Sequence, residues 1–376
     1  MKNKFFSFII LILVVGAVGA YVYFRPDTTF RSKEIVDKNP EVKNIPDVEV
    51  ILNDLEIPWD IAFLPEGGML VVERPGRLLF VKDGERKEIA IAGITHAGEG
   101  GLLGLTLHPR FLENKSMYLY MSSGYSASET RNRVERYRLE HNSLSDKKII
   151  VEHIPGALYH DGGRMEFGPD GFLYITTGDA TRANIAQDKN SLGGKILRVR
   201  DDGSIPEGNP FHTAVWSYGH RNPQGIAWDK EGRLWETEHG RTGAGGLVTG
   251  MDEVNLITSG QNYGWPEIEG DEVRSGMIAP VINSGASETW APASLAYLNG
   301  SLFFGGLKGE ALYEVVLEGE KIKEFKTHFK NEFGRIRTVR VGPDKMLYLT
   351  TSNRDGRGKP EAGDDKIIRV NPASLK

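Results

Sequence analysis

Cysteine is absent from the 376-residue sequence. Its absence excludes disulfides, thiolate metal sites, cysteine nucleophiles and a lipid anchor attached through cysteine. The sequence also has no block of like charge, because acidic and basic residues are interspersed and the formal net charge is −5. Without a basic stripe the protein has little means of neutralising phosphates, so the sequence predicts no nucleic-acid partner.

Strong helical patterns are scarce too, whereas glycine is abundant, with 45 residues. Charged residues make up 26% and hydrophobic residues 39% of the chain, which is typical of a folded soluble domain. Many glycines indicate many tight turns, since glycine adopts turn conformations without steric cost. Together these features favour an all-β protein.

One segment differs from the rest: residues 5–24 carry no charge and follow Lys2 and Lys4 directly. About 20 such residues can cross a membrane, and a short basic N-terminus tends to stay inside. We therefore expect the chain that follows to be exported.

Two fates are open for residues 1–24. The small residues Val18 and Ala20 fit a cleaved signal peptide, which would release a secreted protein. The aromatic stretch "YVYF" that follows extends the apolar run, and we favour an uncleaved anchor at the extracytoplasmic face of the membrane. The polar residues 25–46 read as a linker in either case.

An internal repeat organises the remainder, residues 47–376. A short apolar run, a turn with Gly, Pro, Asp or Asn, and a second apolar run recur six times, as in "RMEFGPDGFLYITT" and "TVRVGPDKMLYLTT". The intervals between equivalent positions run from 45 to 68 residues, the positions being Leu70, Tyr118, Leu173, Leu234, Leu302 and Leu347. This period predicts a six-bladed β-propeller, with a β-sandwich pair or a β-helix as the alternative.

Functional residues of a propeller lie on loops at one end of the central channel. His160 and Asp179 flank the third repeat, so they would meet at one end of the same blade. A histidine with an orienting carboxylate can act as a general base. An incidental pair of surface residues is the alternative.

Cationic and amide side chains lie just outside other repeats. Arg221 and Asn222 belong to "SYGHRNPQG", Lys308 to "GLKG", and Arg335 and Arg337 alternate along a strand and share a face. These residues predict a pocket for a small polyanionic ligand. Bracing of turns and solvated surface charge are the alternatives.

Two glycine-rich stretches add acidic candidates. "HAGEGGLLG" lacks the spacing and the βαβ context of a nucleotide-binding loop, and reads as a turn whose Glu99 could approach a ligand. Residues 238–266 expose many backbone carbonyls and include Glu253, a donor set that suits a hard cation such as Ca²⁺. No EF-hand pattern is present.

Seven motifs in order carry a resemblance: "GEGGLLG", "HDGGR..FGPDG.LYITTGD", "LGGKILR", "GHRNPQG", "DEVN......NYGWP", "LKG" and "GRIR". The sequence after about residue 47 closely resembles the PQQ-dependent soluble aldose sugar dehydrogenases of the glucose/sorbosone dehydrogenase family. The resemblance implies a six-bladed propeller, in agreement with the repeat count.

The resemblance also implies roles. His160 matches the base that removes the proton from the sugar C1 hydroxyl while hydride passes to PQQ, and Asp179 matches the carboxylate that orients it. PQQ has three carboxylates and an ortho-quinone. The residues that match its binding site are Arg221, Asn222, Lys308, Arg335 and Arg337.

For metal, Glu253 and Tyr263 match positions that ligate Ca²⁺ in some members, the tyrosine through its carbonyl, and a Ca²⁺ also lies against the quinone in the family. Some members carry Gln where this chain has Glu99, which we place beside cofactor or substrate with its charge unexplained. Trp290 is a candidate aromatic contact to PQQ.

The implied activity is oxidation of aldose sugars at C1 to lactones, with electrons passed to an external acceptor such as a quinone or a redox carrier. Two alternatives remain at this point: a non-catalytic propeller that binds a ligand through its loops, and a calcium-dependent propeller lactonase.

Overall fold

The computed structural model describes residues 47–124, 130–241 and 250–375. Within these ranges 24 strands form six antiparallel sheets of four strands each, and each sheet is one blade of a propeller. The prediction of an all-β, six-bladed propeller is confirmed. Helical structure in these ranges is limited to α1 (Phe111–Asn114) and two short 3₁₀ turns, Ala183–Ala186 and Pro372–Ser374.

The strands are numbered in chain order, and each blade is given from the channel outwards. Blades 1 and 2 contain β2 (Pro58–Phe63), β3 (Met69–Glu73), β4 (Arg77–Lys82), β5 (Glu85–Ile89), and β6 (Leu102–Leu107), β7 (Ser116–Ser123), β8 (Arg131–Glu140), β9 (Ser143–Pro155). Blades 3 and 4 contain β10 (Met165–Phe167), β11 (Leu173–Thr177), β12 (Lys195–Val199), β13 (Val215–Tyr218), and β14 (Pro223–Trp228), β15 (Leu234–Glu238), β16 (Glu253–Ile257), β17 (Ile282–Asn283). Blades 5 and 6 contain β18 (Pro292–Leu298), β19 (Ser301–Gly306), β20 (Ala311–Glu318), β21 (Lys321–His328), and β22 (Ile336–Val341), β23 (Leu347–Thr351), β24 (Ile367–Val370), β1 (Val48–Leu52).

Blade 6 closes the ring by combining both ends of the described chain. Strand β1 pairs with β24 in antiparallel register, with Val48 opposite Val370. The innermost strands contact one another in sequence around the channel, and β22 contacts β2. Closure leaves no exposed inner edge to the ring.

The six repeated hairpins are the two inner strands of the six blades, as the repeat predicted. The turn of blade 3 shows why its residues recur: Asp170 accepts the N–H of Phe172 and the hydroxyl of Tyr174. Asp344 makes the equivalent bonds to Met346 and Tyr348 in blade 6. The turn carboxylate thus fixes both the turn and a buried aromatic ring, which is a structural role.

Buried charge ties the blades together at the centre. Asp60 of β2 forms an ion pair with the Arg164 guanidinium at 2.8 Å, accepts from the Arg340 guanidinium at 3.0 Å, and also accepts the N–H of Leu105. Burial alone would raise the pKa of Asp60, but the two guanidinium groups hold it below its ordinary value. Arg340 is also paired with Glu166. One ionised carboxylate therefore joins blades 1, 2, 3 and 6.

In the described parts of the chain we find no helix whose length and hydropathy would let it cross a membrane. The predicted anchor or signal peptide, residues 1–24, and the linker, residues 25–46, lie outside the described residues.

Replacing the central carboxylate by its amide, Asp60→Asn, should lower the free energy of unfolding by about 3–5 kcal/mol, because buried Arg164 loses its paired carboxylate and Arg340 keeps only Glu166. Urea unfolding at neutral pH measures the difference. The control is Glu140→Gln, which removes an exposed ion pair to Arg138 and should leave the unfolding midpoint unchanged. A loss of less than about 1 kcal/mol in Asp60→Asn would contradict the central role of this carboxylate.

Candidate active site

Loops at one end of the ring enclose a cavity of about 560 Å³. At this end the chain enters each innermost strand and leaves each second strand, so loops distant in sequence converge there. The cavity is lined by Trp59, Glu99, Tyr159, His160, Asp161, Gly162, Arg221, Asn222, Gln224, His239, Thr289, Ala291, Leu307, Lys308, Arg335, Arg337 and Arg357.

The two ends of the third repeat meet in this cavity. His160 Nδ1 lies 2.7 Å from Asp179 Oδ1, and Asp179 is only 1% exposed. The backbone N–H of Thr181 also donates to Oδ1, and the indole N–H of Trp265 donates to Oδ2 at 2.8 Å. A carboxylate that accepts at Nδ1 assigns the proton to that nitrogen, which leaves Nε2 of His160 as the basic atom.

A second imidazole in the cavity wall has a different environment. The ring of His239 donates through Nε2 to the carbonyl of Pro292, and burial lowers its pKa to about 3. His239 is therefore neutral at neutral pH. Of the two histidines in the wall, His160 is the one with a carboxylate that can stabilise the imidazolium formed on proton uptake.

Glu99 lies against the same histidine. Its Oε2 accepts the backbone N–H of His160 at 3.0 Å, and its Oε1 accepts from Arg357 at 2.7 Å. Burial would raise the pKa of Glu99, but Arg357 and the His160 N–H lower it to about 2. The charge of Glu99 is thus explained by Arg357, a residue of blade 6 that the sequence analysis did not identify.

Four cationic side chains predicted from the sequence line the cavity: Arg221, Lys308, Arg335 and Arg337. The guanidinium of Arg335 binds Asp355 at 2.8 Å, whereas the nearest oxygen of Asp355 is 3.8 Å from Arg337. Burial lowers the pKa of Arg337 to about 9 because Asp355 offsets the loss of water only in part. The wall therefore holds more positive charge than its own carboxylates balance.

Asn222 braces the loop that carries the histidine. Its side-chain oxygen accepts the N–H of Gly162 at 3.1 Å and the amide of Gln224 at 3.3 Å. Gly162 has a φ of +65°, and a Cβ there would lie 2.6 Å from the Cα of Thr177, so only glycine fits. Asn222 therefore lines the cavity and also stabilises the loop that carries His160.

Three glutamates of blade 4 are buried together outside the main cavity. Ligand atoms of His220, Glu236 and Glu238 lie within 4.8 Å of one another, and the carboxyl groups of Glu238 and Glu253 are hydrogen-bonded. Burial raises the pKa of Glu238 to about 7, and burial together with repulsion by Glu238 raises the pKa values of Glu236 and Glu253. Buried Glu236 Oε1, Asn255 Oδ1 and His220 Nδ1 lack a hydrogen-bond partner in the described structure.

Tyr263 lies beside this cluster. Its hydroxyl donates to the carbonyl of Leu256 and accepts the N–H of Thr258, and its ring stacks on His220 at 4.8 Å. The side chain is therefore committed, and its backbone carbonyl is the group left to bind a metal. A small cavity of about 10 Å³, lined in part by Glu238, Glu253 and Tyr263, has room for one water-sized particle.

The family model described as Glucose / Sorbosone dehydrogenase matches residues 55–368. The chain belongs to this family.

Solved structures and a curated relative agree with the family assignment. A Thermus thermophilus structure is 43% identical, with a TM-score of 0.81, and the match covers 86% of this chain and 99% of that one. A PQQ-bound aldose sugar dehydrogenase from Streptomyces coelicolor is 38% identical, with a TM-score of 0.78 and coverage of 86% and 98%. The aldose sugar dehydrogenase of Escherichia coli is 32% identical over 86% of this chain and 92% of its own length.

The structure brings eight of the predicted site residues together at the main cavity and places the other two outside it. His160 and Asp179 form the dyad, while Glu99, Arg221, Asn222, Lys308, Arg335 and Arg337 line the cavity. Glu253 and Tyr263 lie apart from that cavity, in the carboxylate cluster of blade 4.

The expectation for Trp290 is wrong. Its ring is 3% exposed and packs against Phe304, Tyr313 and Phe325 in the core of blade 5 rather than facing the cavity. The tryptophan that lines the cavity is Trp59.

Other residues of the site were not predicted from the sequence. Glu236 and Glu238 alternate in "LWETE" on β15, a spacing that puts both on one face and could have been recognised. Trp265 lies in the motif "NYGWP" but had no local signal for its bond to Asp179. Arg357 and His239 had none either, because each reaches the cavity from a distant loop.

Glu99→Gln should lower the free energy of unfolding at pH 7 by about 1–3 kcal/mol, since it removes the ion pair with Arg357. The ordinary pKa of this carboxyl, 4.5, falls to about 2 on folding, so its contribution is present above pH 4.5 and is lost as the pH falls toward 2. The difference between the two proteins at pH 3 should be less than about half of that at pH 7.

Urea unfolding at pH 7 and pH 3 checks this prediction. Glu113→Gln, at an exposed position, is the control and should match the original protein at both pH values. An equal difference between Glu99→Gln and the original at the two pH values would show that the ionised pair is not the cause.

Proposed function

We propose that the protein is a PQQ-dependent dehydrogenase that oxidises aldose sugars at C1 to lactones. The observation that carries the proposal is the His160–Asp179 dyad facing a cavity whose wall holds an excess of positive charge. Neither the dyad nor the charged cavity wall is sufficient alone, because a base without a hydride acceptor cannot oxidise an alcohol. The names of the Streptomyces and Escherichia relatives support the same reading.

The cavity wall suits PQQ by its chemistry. Arg221, Lys308, Arg335 and Arg337 would hold its three carboxylates, since guanidinium groups bind carboxylates through charge-assisted, often bidentate hydrogen bonds. The lowered pKa of Arg337 is a property of this chain that a bound anion would relieve. When bound, PQQ supplies the acceptor for the hydride that leaves sugar C1.

The protein's own residues would transfer the proton. His160 Nε2 would take it from the C1 hydroxyl, while Asp179 keeps the Nδ1–H tautomer and stabilises the imidazolium. Glu99 holds the backbone of the base through the His160 N–H and stays ionised throughout. C1 would then have lost a hydride and its hydroxyl oxygen a proton, so the C1–oxygen bond becomes the lactone carbonyl.

We also propose Ca²⁺ as the occupant of the carboxylate cluster of blade 4. Three buried carboxylates with raised pKa values are poorly compensated by protein groups, and hard oxygen ligands are what Ca²⁺ prefers. The oxygens Glu236 Oε1 and Asn255 Oδ1 are buried and accept no hydrogen bond in the described structure, which suits them as ligands of a hard cation. Glu253 and the carbonyl of Tyr263 would be ligands.

Export and membrane attachment remain part of the proposal. Residues 5–24 motivate it, since they are uncharged and follow two lysines. An enzyme held at the extracytoplasmic face would pass its electrons to a quinone or a redox carrier there. Mass spectrometry of the N-terminus of the protein from its own cells decides between anchor and secreted form, and a cytoplasmic location would overturn the proposal.

The activity test starts from purified protein to which PQQ and Ca²⁺ are added. Reduction of an artificial dye with glucose or another aldose is expected, together with retention of the PQQ absorbance. His160→Ala should lower kcat by about 10²- to 10⁴-fold and leave PQQ binding near its original value, because the base acts on the proton and not on the cofactor.

Arg335→Ala is the matched counterpart of His160→Ala. It should weaken PQQ binding by about 10- to 100-fold, as measured by absorbance titration, because it removes charged hydrogen bonds to the anion. Normal turnover in His160→Ala would overturn the base assignment. Absence of both dye reduction across a sugar panel and PQQ retention would overturn the proposed function.

The calcium proposal predicts that the original protein and Glu253→Gln differ in stability in opposite directions with and without Ca²⁺. In EGTA, Glu253→Gln should be as stable as the original protein or more stable, because it removes one of three repelling buried carboxylates. In saturating Ca²⁺ the original should gain about 2–3 kcal/mol, roughly the value for ligand at 100 times its dissociation constant, and the variant much less.

Thermal unfolding with and without Ca²⁺ measures the stability of each protein and its stabilisation by Ca²⁺. The control is Glu314→Gln, which removes a carboxylate paired with His328 in blade 5 and should lower stability equally in the two conditions. A Ca²⁺-induced shift in Glu253→Gln equal to that of the original would place the cation elsewhere.

A further inference from the structure

Trp265 connects the loop of blade 4 to the dyad of blade 3. Its indole N–H donates to Asp179 Oδ2 at 2.8 Å, while the other oxygen of Asp179 accepts from His160 at 2.7 Å. The guanidinium groups of Arg221 and Arg241 lie 5.4 and 5.3 Å from the centre of the indole ring. These contacts define both the position and the plane of the ring.

We infer that Trp265 is a positioning residue for the proposed proton transfer, and that it sets both the orientation and the basicity of the His160–Asp179 pair. The inference rests on the proposed function for its kinetic consequence but not for the hydrogen bond itself. A carboxylate whose two oxygens both accept is held in one rotamer and shares its charge between two donors.

Loss of the indole donor changes the dyad in one of two ways, and each has its own measurable effect. Asp179 is 1% exposed, so no solvent replaces a missing donor at Oδ2 without rearrangement. The carboxylate then either turns toward another donor and releases His160, or keeps its place and attracts the imidazolium more strongly. The first lowers turnover, and the second makes the dyad hold its proton up to a higher pH.

Four other ionisable residues lie near the dyad. Glu99 bonds the backbone of His160, Arg357 pairs with Glu99, and the guanidinium of Arg221 lies 5.4 Å from the centre of the Trp265 ring and attracts the Asp179 carboxylate. His239 is neutral at neutral pH because burial lowers its pKa to about 3. Replacement of the Trp265 side chain leaves these four residues, Glu99, Arg357, Arg221 and His239, unchanged.

The variant that tests the inference is Trp265→Phe, which keeps an aromatic ring beside the guanidinium groups and removes the N–H. A matched control exists in the same blade: Trp235 donates its indole N–H to the buried carboxylate of Asp229 at 2.9 Å, away from the cavity. Trp235→Phe therefore removes the same kind of bond without touching the site.

With PQQ and Ca²⁺ loaded, Trp265→Phe should lower kcat by about 10-fold and change KM by less than about threefold. If Asp179 keeps its place instead, the acid limb of the pH profile should move up by about half a pH unit or more. Trp235→Phe should lower stability but leave kcat and the pH profile unmoved. A kcat within twofold of the original and an unmoved acid limb in Trp265→Phe would overturn the inference.

A second measurement needs neither turnover nor a stable Trp265 variant. In the full chain labelled with ¹⁵N-tryptophan, Asp179→Asn should move the indole resonance of Trp265 and leave that of Trp235 in place. An unmoved Trp265 resonance would overturn the inference whether or not the protein oxidises sugars. A moved resonance in a protein inactive on every sugar would support the bond and assign the failure to the proposed function.

Discussion

The structure depends on one buried carboxylate, Asp60, at the centre of the ring. It neutralises Arg164 and Arg340 and accepts a backbone N–H from blade 2, so four blades meet on a single side chain. The same contact reaches the site, because Arg164 lies 4.2 Å above the ring of Trp59, which lines the cavity. The paired charges around Asp60 thus contact, through Trp59, the cavity whose wall holds unbalanced positive charge.

That difference between compensated and uncompensated charge separates structure from function in this protein. Arg340 has two carboxylate partners, and its pKa is raised despite full burial. Arg337 is equally buried, shares one distant carboxylate with Arg335, and has its pKa lowered to about 9. Folding alone gives no reason to keep Arg337 in such a place, whereas a polyanionic ligand does.

The fold could be predicted from the sequence because each blade repeats a local pattern. A turn carboxylate such as Asp170 or Asp344 serves its own hairpin, so its role is visible within a few residues. The meeting of His160 and Asp179 was predictable for the same reason, since both flank one hairpin. The bonds of Arg357 to Glu99 and of Trp265 to Asp179 were not predictable, because they join loops of different blades and exist only after the ring has closed.

His160 itself shows why the site belongs to the closed ring and not to one blade. Its backbone has a φ of +63°, a left-handed conformation that is uncommon for a non-glycine residue. Glu99 of the preceding loop takes its N–H, the N–H of Ala180 bonds its carbonyl, and Asp179 takes its side chain. Asp179 is fixed in turn by Trp265 of blade 4. An isolated third blade would supply only two of these restraints, so the base acquires its orientation from its neighbours on both sides.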